Sequence, residues 1–431
     1  VGLYDYLIEW LDKKHYDYTI KDSENYGKPT DTLDAISPTA VYGFVRSLGL
    51  PFKPRDYQLR GLYSALKYNR RLLLSPTGSG KSFIIYCLIR WHLQFNREIL
   101  LVVPTTSLVE QMYTDFESYG WKAEHYCNRV YGGHEYDQRS PVVISTWQSV
   151  YKNPRNFFNR FDVVIGDEAH LFKSKSLTKL LTKMHGCKYR VGLTGTLDGT
   201  ETHQLILEGL FGPVEQVIRT KQLQKEGHLS DLKINILVLK HDYREFETYQ
   251  EEIDYIISHD ERNKIITGLA RDLSGNTLVL FNFIEKHGDP LWDRLNSINK
   301  SKRLFFVHGG VDAEEREEVR HICEETNDAI ILASYGTFST GINIRNLHNV
   351  IFASPSKSRI RNLQSIGRAL RKHDSKARAT LYDFADDISN DSSHNATLNH
   401  LFARIKLYKE EKFDYSITEI NLNGNQLHQT R

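Results

Sequence analysis

Short, continuously apolar runs recur along this chain, and they restrict its fold more than any other feature. Leu72–Leu74, Ile99–Val103, Val142–Ser145, Val163–Ile165 and Val191–Leu193 form one series. Thr277–Phe283, Arg303–Val307, Ala329–Ala333, Val350–Ala353 and Ala379–Phe384 form a second. Runs of this length, rich in Val, Ile and Leu, are how strands buried on both faces read. The stretches between them, such as Ser107–Tyr119, are long enough for crossover helices. The expected fold class is α/β, with two tandem domains built on parallel sheets.

The boundaries follow from where the runs stop. Residues 53–218 should form the first domain and 231–388 the second. Residues 219–230 are polar, carry no apolar run, and are expected to be a linker. Asp242–Ile257 adds a helix to the second domain. Leu401, Ile405 and Tyr408 predict a helix in a C-terminal extension, 389–431. Residues 1–52 read as a small helical appendage. There Leu3, Leu7, Ile8 and Leu11 recur at helical spacing, and Ser37-Pro38 reads as an N-cap with proline at the first helical position. Gly49 should end that helix, and Lys21–Thr32 is expected to be loop. The chain begins at Val1, not Met, so part of a larger N-terminal domain is expected to precede it.

At 431 residues the chain is too long for one ordinary core. No apolar run approaches bilayer length, no targeting segment is visible, and no membrane partner is expected. The four cysteines are Cys87, Cys127, Cys187 and Cys323, without metal-ligand spacing, and they read as reduced thiols of a cytoplasmic protein. Net charge is only +2, so any surface that tracks phosphates must be local.

Ser75-Pro76-Thr77-Gly78-Ser79-Gly80-Lys81-Ser82 follows an expected strand and opens an expected helix. That is the context of a phosphate-binding loop. The glycines let backbone amides converge on one point, and the helix adds its positive N-terminal end. Lys81 would reach the β- and γ-phosphates of ATP, and the Ser82 hydroxyl would ligate Mg2+. Ser75 replaces the glycine that the strict pattern has first.

Phe161–His170 is an apolar strand ending in adjacent carboxylates, Asp167 and Glu168. At a strand end the first can face the metal and the second can orient a water for in-line attack. In the second domain, Gln364, Arg368 and Arg371 are spaced to share one helical face. A solvated basic face is the ordinary meaning of such spacing. The functional meaning is that the arginines stabilise charge developing on the γ-phosphate.

Together these motifs resemble the superfamily-two, DEAH-box-like helicases, and the resemblance implies two RecA-like domains. Arg55-Asp56-Tyr57-Gln58 resembles the adenine-reading motif, with Gln58 on the base. Pro104–Gln111 and Ser145–Ser149 resemble strand-tracking motifs, implicating Thr105, Thr106, Gln111, Thr146 and Gln148. Thr194-Gly195-Thr196 stands where relatives couple hydrolysis to strand movement. Ser334–Asn343 resembles the motif touching phosphates through Gly341 and Asn343 and nucleic acid through Thr337 and Thr340. His308 and Gly309 sit where the second domain meets the strand backbone. Such contacts position a strand without reading its sequence. Any single threonine among them is as often a local cap, and Trp147 is as readily core as a stacking platform.

The resemblance extends to phage recombination-repair DNA helicases. It implies action on branched and forked DNA, including fork regression, junction migration and unwinding of displacement loops and R-loops, hence of RNA–DNA hybrids. It also implies a monomer with single-stranded-DNA-binding or recombination proteins as partners. The same motifs serve a duplex translocase that separates no strands, and an RNA helicase. A non-hydrolysing clamp or annealing protein is the alternative from another class, opposed by the presence of Lys81, Asp167, Glu168, Arg368 and Arg371. No nuclease constellation is visible.

Overall fold

The apolar runs become strands whose side chains are enclosed from both sides. The structure, a computed structural model, describes residues 2–19, 36–132, 137, 139–341, 344–390, 393–422 and 427–430. Its chain divides into two compact units, Val1–Arg219 and Thr220–Arg431, each treated by itself below.

The first unit is built on β1 (Arg70–Leu74), β2 (Ile99–Val103), β3 (Cys127–Val130), β4 (Val142–Thr146), β5 (Val163–Gly166), β6 (Tyr189–Thr194) and β7 (Val214–Gln216). They form one sheet in the order β3-β4-β2-β5-β6-β1-β7, and every pairing is parallel. β2, β4 and β5 are buried at every position, which is why they show no polar alternation. Register sets Gly166 of β5 beside Gly192 of β6. The Phe211 ring fills the groove that this pair opens, and a Cβ at either glycine would stand 2.8–2.9 Å from it.

The N-terminal appendage packs on this unit. Helix Tyr4–Lys13 is tied to helix Glu201–Phe211 by Gly2 N–H donating to Gly209 O and by Tyr6 OH donating to Glu208 at 2.8 Å. Helix Pro38–Ser47 starts as its sequence says, with the Ser37 hydroxyl accepting from Ala40 N–H at 3.1 Å. Gly49, at φ +63°, ends it. The expected loop Lys21–Thr32 lies outside the described residues.

The second unit holds β8 (Asp231–Lys240), β9 (Thr277–Phe281), β10 (Arg303–Val307), β11 (Ala329–Ser334), β12 (Asn349–Phe352), β13 (Arg378–Asp387), β14 (Asp414–Asn421) and β15 (Leu427–Thr430). Their order is β10-β11-β9-β12-β13-β8-β14-β15. All pairings are parallel except β14 with β15.

The second unit corrects several expectations. Residues 219–230 are not an open connection: helix Thr220–Lys225 seats Leu223 in the core, Leu229 is also buried, and Ser230 N–H donates to Leu370 O at 2.8 Å. The helix expected from Asp242 begins at Tyr249, where Thr248 caps it, and a further helix, Asp260–Asp272, follows. β9 ends at Phe281, and a π-helical turn, Ile284–Gly288, feeds the next helix. The C-terminal extension has its expected helix, Ala396–Glu410, but then returns as β14 along β8.

Candidate functional site

The phosphate-type loop joins β1 to helix Lys81–Leu93. Gly78 and Gly80 stand at φ +82° and +83°, conformations that favour glycine. The loop is braced from within: Ser75 Oγ donates to Ser79 Oγ at 2.7 Å, and Ser79 Oγ donates to Pro76 O at 2.6 Å. Ser75, where the strict pattern has glycine, is thus a strut. Lys81 Nζ lies 3.4 Å from Ser75 O and close to Gly195. Thr77, half-buried, places its amide against the same glycine.

Gln58 braces the loop from outside. It is buried, its Oε1 accepts Arg55 N–H at 2.9 Å, and its Nε2 donates to Ser79 O at 2.9 Å. Tyr57 OH donates to the same carbonyl at 2.8 Å, and Arg55 Nη1 donates to Tyr57 OH at 2.7 Å. A carboxamide has two N–H donors and two lone pairs, so capacity for a base remains. A Cβ at Gly80 would fall 2.3 Å from Gln58 Nε2.

Asp167 immediately follows β5 and is buried. Its Oδ1 is enclosed without a hydrogen-bond partner. Burial, followed by the neighbouring Glu168 charge, pushes the Asp167 carboxyl up to about 7, against the opposing pull of Lys81. A buried acceptor with no donor, beside a phosphate-type loop, fits a divalent cation. Among the described residues no cluster of three or more His, Cys, Asp or Glu could hold one unaided. That suits Mg2+, which takes one or two protein oxygens and completes its shell with phosphates and water.

Glu168 adopts φ +47°, ψ +50°, a strained backbone for a residue with a Cβ. His170 Nδ1 lies 3.3 Å from Glu168 Oε2 and 3.0 Å from Thr194 Oγ1. The acidic box and the Thr194–Thr196 segment are therefore one network. The Ser82 hydroxyl is engaged with Tyr119 OH at 3.0 Å. Sequence reading missed that partner, 37 residues away, because only packing of the two helices brings it near.

The expected strand contacts of the first unit gather at the neighbouring carboxyl ends of β2 and β4, where Val103 pairs with Thr146. Thr105 caps helix Thr106–Ser118, accepting from Leu108 N–H at 3.3 Å. Thr106, Gln111 and Gln148 are exposed, whereas Thr146 is buried with its Oγ1 2.9 Å from Ser149 Oγ. Trp147 is half-buried against the core beside Tyr151. The phosphate-type loop, Asp167 and Thr194 follow β1, β5 and β6, so the two residue groups share the rim of one sheet. Ligands of open α/β sheets bind at that rim.

In the second unit, His308 and exposed Gly309 follow β10, and Thr337 follows the adjacent β11. Thr337 is buried and accepts from Ser334 Oγ at 2.9 Å. Gly341 ends helix Tyr335–Gly341. The side chain of Thr340, and Asn343 entirely, lie outside the described residues. Gln364 and Arg368 are half-buried on helix Arg359–Ala369, with Arg368 5.5 Å from the Phe338 ring centroid. Arg371 lies just beyond the helix, which stops at Ala369, in a bend where its N–H donates to Arg368 O at 3.3 Å. Nearby, Lys376 Nζ donates to Ala369 O at 2.7 Å.

Comparison with known proteins agrees with this geometry. Residues 51–199 match the family model of the type III restriction enzyme res subunit, and residues 251–373 that of the helicase conserved C-terminal domain. The chain is 36% identical over 394 residues to the ATP-dependent DNA helicase uvsW of Enterobacteria phage T4, covering 86% of this chain and 78% of that protein. It is 23% identical over 366 residues to the DNA 3'-5' translocase XPB2 of Sulfurisphaera tokodaii, covering 75% and 80%. S. cerevisiae Dbp5 bound to RNA and ADP BeF3 shares the fold, with a TM-score of 0.58 at 14% identity over 91% of this chain and 95% of that one. No helix among the described residues is long and apolar enough to cross a membrane. Likeness to uvsW at that identity, across most of both chains, settles the family: the chain belongs to the superfamily-two helicases of the uvsW type, which hydrolyse ATP.

Proposed function

We propose that this protein is an ATP-driven DNA helicase that remodels branched DNA: forks, junctions, displacement loops and R-loops. The observation that carries the reading is the long likeness to a relative whose name is ATP-dependent DNA helicase. The division of one sheet rim between a phosphate-type loop and a set of exposed Thr and Gln side chains supports it. Lys81 would neutralise the β- and γ-phosphates. Asp167 and Ser82 would hold Mg2+, which when bound offsets phosphate charge. For Ser82 this means exchanging Tyr119 OH for the metal. Glu168, steadied by His170, would orient the attacking water. Arg368 and Arg371, with Gln364 beside them, would stabilise charge developing on the γ-phosphate, an effect worth about 10³–10⁵ in rate. Thr105, Thr106, Gln111, Thr146 and Gln148, with His308, Gly309, Thr337 and Thr340, would track one strand's backbone. The same reading makes the protein a cytoplasmic monomer, in the host cell if phage-encoded, that meets single-stranded-DNA-binding or recombination proteins.

The test is ATP turnover on forked DNA against single-stranded RNA, followed by strand separation on the fork. Forked DNA should stimulate turnover and be unwound. Stimulation by RNA alone would refute the DNA reading. Stimulation by DNA without strand separation would make the protein a translocase, as the name of the Sulfurisphaera relative describes that protein. Lys81→Ala should lower turnover by about 10²–10³-fold, the scale of one lost preorganised donor, while sparing DNA binding.

A further inference from the structure

The loop between β12 and helix Arg359–Ala369 launches the segment that carries Arg368 and Arg371, and side chains from three other helices and from the connection after β9 hold it. Its successive carbonyls are each taken in turn. Ala353 O accepts from Arg262 Nη2 at 2.6 Å, and Ser354 O from Tyr335 OH at 3.5 Å. Pro355 O accepts from Asn282 Nδ2 at 3.4 Å, and Ser356 O from Arg404 Nη1 at 3.0 Å.

The two guanidiniums are the strong members, and both are almost wholly buried, Arg262 at 0% and Arg404 at 2% exposure. Each is anchored to β13: Arg262 Nε donates to Asp386 Oδ1 at 2.8 Å, and Arg404 Nε donates to Asp383 Oδ2 at 2.8 Å. Asp383 and Asp386 are three residues apart on a regular strand, so they face opposite sides of the sheet. The loop is thus gripped from both faces, by helix Asp260–Asp272 on one and by the C-terminal helix Ala396–Glu410 on the other. Both buried arginines thus tie a β13 carboxylate to a carbonyl of this loop.

We propose that Arg262 and Arg404 are positioning residues for ATP hydrolysis, fixing the direction in which the arginine-bearing helix leaves the sheet. The inference rests on the proposed action of Arg368 and Arg371 on the nucleotide. Misplacing a catalytic group by about 1 Å can cost 10²-fold in rate, and a slackened loop would do so without touching the ATP-binding loop of the first unit.

The experiment uses the full chain with forked DNA and measures kcat, KM for ATP and the melting temperature of Arg404→Lys, Arg404→Met and Tyr408→Phe. Tyr408 OH donates to the same Asp383 Oδ2 at 2.8 Å, and no hydrogen bond joins that hydroxyl to the loop among those described, so its variant registers loss of stability alone. Arg404→Met should lower kcat by about 10–100-fold with KM for ATP within about twofold. Arg404→Lys keeps the charge beside Asp383 but lacks the planar fork that also meets Ser356 O and Phe384 O, and it should lower kcat in the same sense. Tyr408→Phe should melt lower yet keep kcat. If Arg404→Met does not fold, Arg404→Lys decides. Full turnover in Arg404→Lys, or an equal loss of kcat in Tyr408→Phe, overturns the inference. Arg371→Ala separates the two levels. Should it turn over ATP normally, the reading of the arginines fails. Should it stall while Arg404→Lys does not, only the positioning role fails.

Discussion

Asp167 is costly to the fold, and its proposed part in the chemistry, holding a metal, is what would offset that cost. Burial, and then the neighbouring Glu168 charge, push its carboxyl up to about 7 from an ordinary value of 3.8. Between those values the folded state holds more protons than the unfolded state. Stability therefore falls as pH rises from about 4 to 7, and above 7 the full penalty is present. Asparagine carries no charge at any pH. In metal-free buffer at pH 8, Asp167→Asn should stabilise the protein by about 1–3 kcal/mol, the scale of an unsatisfied buried group. The gain should shrink by pH 5, where the native carboxyl is already protonated, and turnover should be lost throughout. Thermal unfolding of both proteins at the two pH values checks this. An asparagine variant that melts lower at pH 8 would contradict the orphaned-carboxylate argument. At this scale, the sequence makes Lys81, Asp167 and Glu168 candidates because they stand in contiguous motifs, the first after β1 and the other two after β5. It does not show the Ser82–Tyr119 contact, the bracing of Ser79 by Gln58, or the enclosure of Asp167 Oδ1. Each depends on where a distant element comes to rest.

Among elements, the strands buried on both faces were legible because an unbroken apolar run has few other homes in a chain of this size. β2 and β10 run over the expected residues, and the other expected strands shift by a few residues at their ends. The strands that escaped are short or alternating. β3 and β7 are short, and β8 alternates Asp231, Lys233 and Asn235 with buried Leu232, Ile234 and Ile236. β14 alternates likewise and was hidden behind a helical pattern. The segment 219–230 looked like a linker because two buried leucines set among polar neighbours make no periodic signal. Element packing also reaches the site. Phe211 lies in the groove over Gly166 and Gly192, immediately below the carboxylates that follow β5. A valine at 192 would bring Cβ to 2.9 Å from both Leu72 and Phe211. Overpacking of this kind costs about 1–3 kcal/mol, so Gly192→Val should lower the unfolding free energy by that amount, read as a lower denaturant midpoint at unchanged slope, and reduce turnover. Phe211→Leu in the same chain should recover part of both, because contacting residues couple. Strict additivity of the two substitutions would rule out the shared groove as the cause.

On the scale of the whole molecule, the proposed chemistry is divided between two units that each possess a sheet and a core of their own. The phosphate-type loop with Lys81 and Ser82, and the carboxylates Asp167 and Glu168, belong to Val1–Arg219, while Gly341, Asn343, Gln364, Arg368 and Arg371 belong to Thr220–Arg431. Binding and turnover should therefore separate when the chain is cut. Residues 1–219 produced alone should bind a non-hydrolysable ATP analogue with an affinity within about tenfold of the intact chain, since tenfold corresponds to only ~1.4 kcal/mol. Its turnover should fall by about 10³–10⁵, the contribution of an arginine supplied from elsewhere. DNA should no longer stimulate it, because the four proposed strand contacts of the second unit, His308, Gly309, Thr337 and Thr340, are gone. Equilibrium binding of a fluorescent analogue, paired with a phosphate-release assay, tests both halves of the statement on one preparation. A fragment that binds the analogue and hydrolyses ATP at the rate of the intact protein would place all of the catalytic charge in the first unit and leave Arg368 and Arg371 without their proposed role. A fragment that binds no nucleotide although its circular dichroism shows it folded would instead move part of the binding determinant to the second unit, where the Ser334–Asn343 segment is the sequence feature that could supply it.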